Sequence, residues 1–483
     1  MPFQPLVLWT DWLIYLLLAV VVAAFVYVRE REHLRAPWRR VGRSAGGMVG
    51  LTVLALFVVV GLLDSLHYRP QVTGADPAKP VYAAEVRSAL DALLAPLRAR
   101  AEKTYSAPLA TQLFAMETAE RADGTQAREY PRLKYGGARL KDPATEHAAS
   151  LARGAVAGVA LGAVVWLLIA LAAAALCARS SGENIHRAWG AIWRGDTAAP
   201  WRAVLLTLLA LALLGGVTVV LAVDYHVLGT DKVGQDVLYL TLKSVRTALV
   251  IGTLTTLVML PFALALGIAA GYFGGWVDDV IQYVYTTLNS IPGVLLIAAS
   301  VLMMQVYIDT HPDLFPTAAQ RADLRLLFLC IILGVTSWTG LCRLLRGETL
   351  KLKELEYIQA AHAFGVRPHR VISRHILPNV MHIVLISVVM EFSGLVLAEA
   401  VLSYVGVGVD PSMNSFGTMI NNARLEMARE PMVWWSLAAA FVFMVTLVLA
   451  ANLFADAVRD AFDPRVRSGA RRVLRAGAPA EAA

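Results

Sequence analysis

The chain has 483 residues, of which 57% are hydrophobic and only 16% are charged, and its formal net charge is +7. Soluble globular proteins are roughly 45–50% apolar and about 25% charged, so one globular core cannot bury this excess of apolar residues. The composition therefore indicates an all-α polytopic membrane protein. It excludes a mainly soluble enzyme, a disordered scaffold and a disulfide-stapled secreted domain.

Nine apolar runs are each long enough to cross a bilayer, whose hydrocarbon core of about 30 Å needs about 20 helical residues. The first run has no Lys or Arg before it and no small-residue cleavage site after it, so we interpret it as a permanent span. Pro292 is expected to lie inside the sixth span and to kink it. The predicted spans lie near 12–28, 46–63, 153–177, 202–223, 246–270, 280–305, 324–345, 381–405 and 433–454.

The segments between the spans differ in charge. Residues 29–43, 178–202, 346–380 and the C-terminal tail are rich in arginine, and alternation through nine spans places all four on one side. Basic loops stay on the cytoplasmic side of a membrane, so the N-terminus is predicted outside and the C-terminus inside. This asymmetry accounts for the net positive charge without any nucleic-acid partner.

One long segment, residues 64–150, lies on the predicted outer side and is called the insertion below. Its apolar spacing predicts one amphipathic helix bent at Pro96. The residues of the apolar face are Val86, Leu90, Leu93, Leu94 and Leu97. The expected division is 1–63 (two spans and a basic loop), 64–150, 151–200 (a third span and a linker), 201–466 (a helical core) and 467–483 (a cytoplasmic tail).

The three cysteines, Cys177, Cys330 and Cys342, all lie in apolar runs. Cys330 and Cys342 share one predicted helix and are separated by about 18 Å at 1.5 Å per residue, which is too far for a disulfide. No CxxC or Cys/His ligand spacing occurs. The sequence therefore predicts neither a disulfide nor a metal site.

Residues 346–380, called the inner loop below, are predicted to form two short helices. The first, 356–365, ends at Gly365, which can adopt the left-handed cap conformation. The second, 368–375, begins at a proline suited to a first helical turn. Pro378 is expected to break the chain before the next span. The small side chains Ala360, Ala361 and Ala363 leave two interpretations: a thin helix that enters a cleft on another protein, or a linker resting in lipid headgroups.

Within the inner loop, Gln359-Ala360-Ala361, then Gly365, then Leu377-Pro378 resemble the EAA loop of bacterial ABC-importer permeases. The surrounding residues 357–379 are similar to the dipeptide, oligopeptide and nickel branch of that family. In the family this loop docks on a cytoplasmic ATPase. Gln359 replaces the usual glutamate and keeps hydrogen bonding but not an ion pair. The resemblance implies ATPase-coupling roles for Tyr357, Gln359, Ala360, Ala361, Gly365, Leu377 and Pro378.

Three further segments resemble this branch in the order that its topology requires. They are a GTD…GQD signature outside the fourth span, an AGYFGGWVD…SIP segment (270–292) and an ExxLSYVGVG…P…FG segment (399–417). The DAVRDAFDP sequence at 456–464 resembles the family's ending. The residues of the outer signature are Gly229, Thr230, Asp231, Gly234 and Asp236.

The resemblance covers about residues 200–466 and points to the C-type permease subunit. It implies a six-helix importer core in the bacterial inner membrane, preceded by three extra transmembrane helices and a periplasmic insertion. Residues 1–200 are unmatched. They could contact a substrate-binding protein, shield the outer mouth, bind a further subunit or brace a partner permease.

Two glutamates lie inside the eighth predicted span. Glu391 is about ten residues into the span, and Glu399 is two turns further along on nearly the same face. A carboxylate in hydrocarbon costs at least a few kcal/mol, so each should face the bundle interior or water. Two interpretations stay open: the glutamates line the translocation path and meet a cationic group such as a peptide amino terminus, or they are protonated and hydrogen-bonded between helices.

The resemblance implies an ATP-driven importer, most simply of peptides, that works by alternating access. No GxxxxGK[ST] motif occurs, so this chain would carry no catalytic residues and no cofactor, and ATP and Mg²⁺ would bind to other subunits. The implied partners are a B-type permease, two ATPase subunits and a periplasmic or lipid-anchored substrate-binding protein. Alternatives are an ATPase-independent transporter or channel, an intramembrane hydrolase, and ABC import of nickel chelates, glutathione or peptide antibiotics.

Overall fold

The computed structural model describes residues 3–71, 81–120, 126–182, 184–311 and 317–462. Across these ranges, nine helices are long and apolar enough to cross a bilayer, so the predicted number of spans is confirmed. They are Trp9–Glu30, Ala45–Ser65, Pro143–Ser181, Trp201–Leu221, Val237–Phe273, Gly293–Thr310, Ala318–Lys353, Pro368–Tyr404 and Trp435–Phe462. The predicted tail 467–483 and the last two residues of the 456–464 sequence lie outside the described residues.

The chain begins with a short strand and three helices. These are β1 (Phe3–Pro5), α1 (Trp9–Glu30), α2 (Glu32–Val41) and α3 (Ala45–Ser65). The hydroxyl of Ser44 accepts a hydrogen bond from the backbone N–H of Gly47 at 3.2 Å, so Ser44 caps the start of α3.

The insertion contains short strands that the sequence did not predict. Its elements are β2 (His67–Pro70), β3 (Arg87–Ser88), α4 (Ala89–Leu93), α5 (Ala95–Ala99), β4 (Glu117–Glu120) and β5 (Gln126–Glu129). β2 pairs antiparallel with both β1 and β3, and β4 pairs antiparallel with β5. The all-α class therefore holds for the membrane part, with two small sheets outside it.

The predicted single amphipathic helix over 86–97 is wrong. The segment forms two five-residue helices, α4 and α5, which meet at Leu94, and Pro96 stands in the first turn of α5. A proline lacks the N–H of a continuing helix and its ring clashes with an earlier carbonyl, so the helix restarts instead of bending. Leu90 and Leu97 are buried as expected, whereas Leu93, the last residue of α4, is 69% exposed.

The remaining elements are helical. They are α6 (Pro143–Ser181), α7 (Ile185–Arg194), α8 (Trp201–Leu221), α9 (Val237–Phe273), α10 (Gly275–Ser290), α11 (Gly293–Thr310), α12 (Ala318–Ser337), α13 (Thr339–Lys353), α14 (Glu356–Ala363), α15 (Pro368–Val371), a π-helical turn (Ile372–Ile376), α16 (Leu377–Tyr404), α17 (Phe416–Glu426) and α18 (Trp435–Phe462). α9 is the centre of the bundle and packs against α3, α10, α12, α13, α16 and α18.

The extra helices attach to the core at different places. α3 packs against α9 and α18, and α1 reaches α12 and α9. α6 packs along α8 through a Gly154-Gly158-Gly162 series, which is the small-residue spacing used for close helix contacts in membranes. A Cβ on Gly158 would lie 2.5 Å from the Cα of Val217 in α8. The close contact therefore needs glycine at this position.

The predicted sixth span, 280–305, is wrong in its bounds. Helix α10 ends at Ser290, Ile291 is extended, and the membrane helix α11 begins at Gly293. Pro292 is the N-terminal cap of α11 and does not lie inside a span. A proline before the first turn loses no intrahelical hydrogen bond, so the chain uses it to start a helix and not to kink one.

The predicted break at Pro378 is also wrong. α15, the π-helical turn and α16 follow one another without interruption from Pro368 to Tyr404. Pro378 stands in the first turn of α16, where its missing N–H costs least. The wide π-helical turn precedes it and gives its ring room beside the preceding carbonyls. The second short helix predicted over 368–375 is therefore the beginning of one long helical path.

Candidate functional site

Helix α14 of the inner loop is anchored by one buried side chain. Ile358 is fully buried in a cluster with residues from α9, α10, α13 and α15, among them Tyr272, Tyr285, Leu345 and Val371. The anchor fixes the position of α14 at the ends of several long helices.

The rest of α14 is open on its other side. Tyr357 is 45% exposed, and Gln359 and Ala360 are exposed, whereas Ala361 is half-buried. Gln359 Nε2 donates to the backbone oxygen of Glu354 at 3.2 Å. Phe364, which the sequence reasoning did not single out, is 86% exposed and adds an aromatic ring to the open side. The sequence signal that could have identified Phe364 is its position, since it is an apolar residue directly before the cap glycine.

Gly365 ends α14 in the left-handed conformation, with φ +72°, as the sequence predicts. The backbone N–H of Val366 donates to the carbonyl of Ala361 at 3.0 Å, which closes the cap. A β-carbon on Gly365 would meet no atom within 4 Å, so glycine is required here by its backbone angle and not by crowding.

The other two predicted coupling residues lie further along the helical path. Leu377 is half-buried against the cluster around Ile358, and Pro378 is exposed. Asn379 donates from Nδ2 to the hydroxyl of Tyr357 at 3.1 Å, so α16 is bonded directly to α14. The structure thus joins the start of α16 to Tyr357, and it packs Leu377 and Ala361 against one buried cluster.

The two membrane glutamates have different surroundings. Glu399 is 1% exposed, and the hydroxyl of Ser403 donates to its Oε1 at 2.7 Å. Glu391 is half-buried, and no hydrogen bond to its carboxylate occurs among the described residues. The bond from Ser403 lies within α16, so the buried Glu399 is satisfied by its own helix. In the described structure Glu391 is the glutamate whose carboxylate is available to another group.

The outer signature forms a tight loop, residues 226–236, called the GTD loop below. Gly229 and Gly234 adopt positive φ angles of 73° and 78°. Asp231 Oδ1 accepts from the backbone N–H of Gln235 at 2.8 Å. Asp236 caps α9 by accepting from the N–H of Leu238 at 2.8 Å. The signature residues thus shape the entrance to α9.

The insertion docks on the GTD loop. The hydroxyl of Thr230 accepts from the backbone N–H of Ser106 at 2.7 Å, and the indole of Trp435 donates to the backbone oxygen of Thr230 at 2.9 Å. The N–H of Glu102 donates to the carbonyl of Gly234 at 2.9 Å. The loop is therefore held between the insertion and the first turn of α18.

His226 joins the core to the insertion electrostatically. Its Nδ1 lies 2.7 Å from Asp236 Oδ2, and its Nε2 lies 3.5 Å from Glu102 Oε1, an ion-pair distance. Burial alone would lower the pKa of His226, but its two carboxylate neighbours raise it to about 9. Burial would raise the pKa of Glu102, but His226 and backbone N–H donors, including that of Tyr135 at 2.8 Å, lower it to about 2.

Two buried charge clusters attach the N-terminal elements to α9. Arg246 Nη2 donates to Asp11 Oδ1 of α1 at 2.7 Å, and Arg246 Nε donates to Ser65 Oγ of α3 at 3.2 Å. One turn earlier, Lys243 Nζ donates to Asp64 at 2.5 Å and to Asp91 of the insertion at 3.2 Å. These residues were not identified from the sequence, because charges near span ends ordinarily face water.

The arrangement defines a helical multi-pass membrane protein. Its buried ion pairs and the hydrogen bonds of the GTD loop join the N-terminal helices and the insertion to the helical core. In the ranges that the structure describes, no group of His, Cys, Asp and Glu residues is arranged to hold a metal ion. The protein-family model described as "Binding-protein-dependent transport system inner membrane component" matches residues 263–468.

Curated relatives cover about half of this chain and most of their own length. The chain is 34% identical over 248 residues to the oligopeptide transport system permease protein OppC of Mycobacterium tuberculosis strain H37Rv, covering 51% of this chain and 79% of that protein. It is 32% identical to the glutathione transport system permease protein GsiD of Pectobacterium atrosepticum, covering 50% and 74%. It is 28% identical to the dipeptide transport system permease protein DppC of Bacillus subtilis, covering 50% and 69%.

Among solved structures, the MetNI methionine ABC transporter matches with a TM-score of 0.36 and 16% identity, covering 47% of this chain and 97% of that chain. The chain belongs to the family of binding-protein-dependent transport system inner membrane components. It is a permease subunit of an ABC importer in the inner membrane and not an enzyme, and it works with an ATPase and a binding protein.

Proposed function

We propose that this chain is the C-type permease subunit of a peptide importer and that α14 is the surface that its ATPase grips. One observation carries this proposal: α14 is anchored by Ile358 on one side and exposes Tyr357, Gln359 and Ala360 on the other. An anchored helix with a thin, apolar open side suits insertion into a cleft of a partner. The partner's movement would then reach the membrane helices through the buried cluster.

Peptides are the proposed substrates, because the relatives at 34% and 28% identity carry oligopeptide and dipeptide names. Glutathione is the second candidate, supported by the relative at 32% identity. The proposed assembly has a homologous B-type permease, two ATPase subunits that bind ATP and Mg²⁺, and a substrate-binding protein on the insertion side. The N-terminus lies in the periplasm and the C-terminus in the cytoplasm, as the basic loops predict.

In this mechanism the chain carries out no covalent chemistry. ATP binding to the partner subunits favours one orientation of the permease pair, and hydrolysis returns the other, so the substrate path opens alternately to each side. Tyr357, Gln359, Ala360, Ala361, Gly365, Leu377 and Pro378 form the coupling surface in this proposal. Glu391 faces the path and attracts the cationic end of a substrate.

The test is co-purification followed by uptake in proteoliposomes. Ala360→Arg adds a long charged side chain to the open side of α14, and Ala198→Arg makes the same change at an exposed position before α8. We expect Ala360→Arg to lose the ATPase subunits and Ala198→Arg to retain them. If Ala360→Arg binds the ATPase and transports like the unaltered protein, the proposed coupling surface is wrong.

Uptake of a labelled dipeptide, competed by longer peptides and by glutathione, identifies the substrate class. ATP-dependent uptake that only glutathione competes would replace the peptide proposal with the second candidate. Uptake that continues without any ATPase subunit would contradict both.

A further inference from the structure

Helix α9 is held at both ends by different kinds of contact. Near its beginning, Lys243 and Arg246 make buried ion pairs with α1, α3 and the insertion, and Asp236 caps it within the docked GTD loop. Near its end, Tyr272 lies in the cluster that also contains Ile358 of α14. The first end is fixed by charges in a buried environment, whereas the contacts seen at the second end, within the described part of the chain, are packing contacts.

The packing at the second end includes a stacked pair of rings. The imidazole of His362 in α14 lies over the ring of Tyr272, with centroids 5.4 Å apart and planes 23° from parallel. Tyr272 is 4% exposed, whereas His362 is exposed on its other side. His362 therefore covers Tyr272 without being part of the buried core, so replacing His362 leaves the cluster around Ile358 in place.

The hydroxyl of Tyr272 adds no hydrogen bond to this contact. It is buried and has no partner among the described residues. The neighbouring Gly271 brings α9 against α13, because a Cβ there would lie 2.6 Å from the Cβ of Thr349. Tyr272 is thus held by ring contacts and packing, and His362 is the residue of α14 whose ring stacks on it.

A proline lies between the two ends of α9. Pro261 is inside the helix, between Arg246 and Tyr272. It lacks the N–H that would bond to the carbonyl of Leu257, and its ring crowds that turn, so the helix bends more easily there than elsewhere. A force applied at Tyr272 would move the second half of α9 relative to the fixed first half.

We propose that the stack of His362 on Tyr272 is the joint through which displacement of α14 moves the second half of α9. The two residues are positioning residues for coupling, since neither touches substrate or nucleotide. This inference rests on the proposed function in one respect, namely that the ATPase acts on α14. It adds which membrane helix receives the movement and through which side chains.

The experiment uses the complete transporter in proteoliposomes and measures uptake per ATP hydrolysed. We expect His362→Ala to keep the ATPase bound and hydrolysing but to lower uptake per ATP by at least about five-fold, the lower end of typical coupling factors. His362→Tyr restores a planar ring and should restore uptake to within about two-fold. Tyr272→Phe should behave like the unaltered protein because the hydroxyl has no partner, whereas Tyr272→Leu should behave like His362→Ala.

A distance measurement separates coupling from simple destabilisation. Spin labels at Val233 and Phe273, both exposed, report movement of the second end of α9 relative to the GTD loop. Cys177→Ala removes the half-buried cysteine, and the fully buried Cys330 and Cys342 stay unlabelled. We expect the distance change on adding ATP to vanish in His362→Ala and to return in His362→Tyr.

Two outcomes would contradict the proposed role of the His362–Tyr272 stack. In the first, His362→Ala transports with unaltered uptake per ATP. In the second, the ATP-driven distance change persists in His362→Ala. Failure of the proposed function has a different signature. In that case the unaltered protein would not bind an ATPase, or Ala360→Arg would transport normally.

Discussion

Glu102 of the insertion lies 3.5 Å from His226 of the GTD loop, and both side chains are almost completely buried. This contact, with the His226–Asp236 bond, joins the insertion, which lies before the residues 263–468 that the family model matches, to the GTD loop at the start of α9. The first two predictions follow from it.

Replacing His226 by Gln should release the insertion from the GTD loop. The variant leaves the carboxylates of Glu102 and Asp236 buried without a cationic partner, which typically costs about 3–5 kcal/mol. We expect a lower midpoint of thermal unfolding in detergent and faster proteolysis of the insertion. His311→Gln, at an exposed histidine, is the matched control and should change neither. Equal stability of the two variants would contradict the ion-pair role of His226.

The contact should also give a defined pH dependence. The pKa of His226 is raised from 6.5 to about 9, so its contribution to stability is fully present below pH 6.5 and is lost as the pH rises through about 9. The pKa of Glu102 is lowered from 4.5 to about 2, so its contribution is present above pH 4.5 and is lost as the pH falls through about 2. Docking should be tightest between pH 4.5 and 6.5.

Hydrogen exchange of the insertion at a series of pH values, corrected for the intrinsic rate, measures this dependence. Protection around Glu102 should fall between about pH 8 and pH 10 in the unaltered protein. The alkaline loss should be absent in His226→Gln. A flat profile through pH 10 in the unaltered protein would show that His226 is not the titrating group.

The contact between α6 and α8 should tolerate no added methyl group. In Gly158→Ala the new Cβ would lie 2.5 Å from the Cα of Val217, so the helices must separate, at a cost of about 1–3 kcal/mol. Gly215→Ala, on α8, meets nothing within 4 Å and should be neutral or slightly stabilising. Thermal unfolding and cross-linking between α6 and α8 compare the two. Equal changes in thermal stability and cross-linking for the two variants would contradict the close contact between α6 and α8.

Lys243 should matter to the fold, whereas the nearby Lys232 should not. Lys243→Met removes the cation between Asp64 and Asp91, whereas Lys232 is exposed and serves as the control. We expect a loss of about 3–5 kcal/mol from the uncompensated buried carboxylates. Adding Asp64→Asn to Lys243→Met should recover part of this loss. A double variant as unstable as the sum of the two single variants would contradict a direct pair.

Glu391 and Glu399 should respond differently to replacement by Gln. Glu391→Gln should lower uptake with little loss of folded protein, because the carboxylate has no hydrogen-bond partner in the described structure. Glu399→Gln should lower the yield of folded protein instead, because it disturbs the buried bond with Ser403. Uptake assays and size-exclusion profiles distinguish the two effects. Unchanged uptake in Glu391→Gln would end its proposed role in the path.

The number of spans could be predicted from sequence because long apolar runs have few alternatives in a membrane. Gly365 was also predictable, since a glycine after a short helical run commonly takes a left-handed cap. The prolines were harder. Pro292 and Pro378 both stand at helix starts, and the sequence reasoning treated them as a kink and a break because local pattern does not say which side of a proline the helix lies on.

The contacts of the insertion could not be predicted in this way. His226, Glu102 and Asp236 come from two segments more than a hundred residues apart in sequence, and periodicity carries no information about such pairs. The same holds for Lys243 with Asp64, and although His362 and Tyr272 are closer in sequence, periodicity does not pair them either. The GxxxG spacing in α6 is the exception, because this spacing by itself indicates a close helix contact in a membrane.

The ion pairs of Lys243 and Arg246 have a consequence for any attempt to reduce this protein to the part it shares with its relatives. Cutting the chain before residue 201 would remove Asp11, Asp64 and Asp91, leaving Lys243 without these counter-charges and Arg246 with Asp323, 3.7 Å away, as its remaining ion-pair partner. The result would not be a minimal transporter but a misfolding-prone fragment. Lys243 would have to be neutralised by a compensating substitution before the part after residue 201 could stand alone.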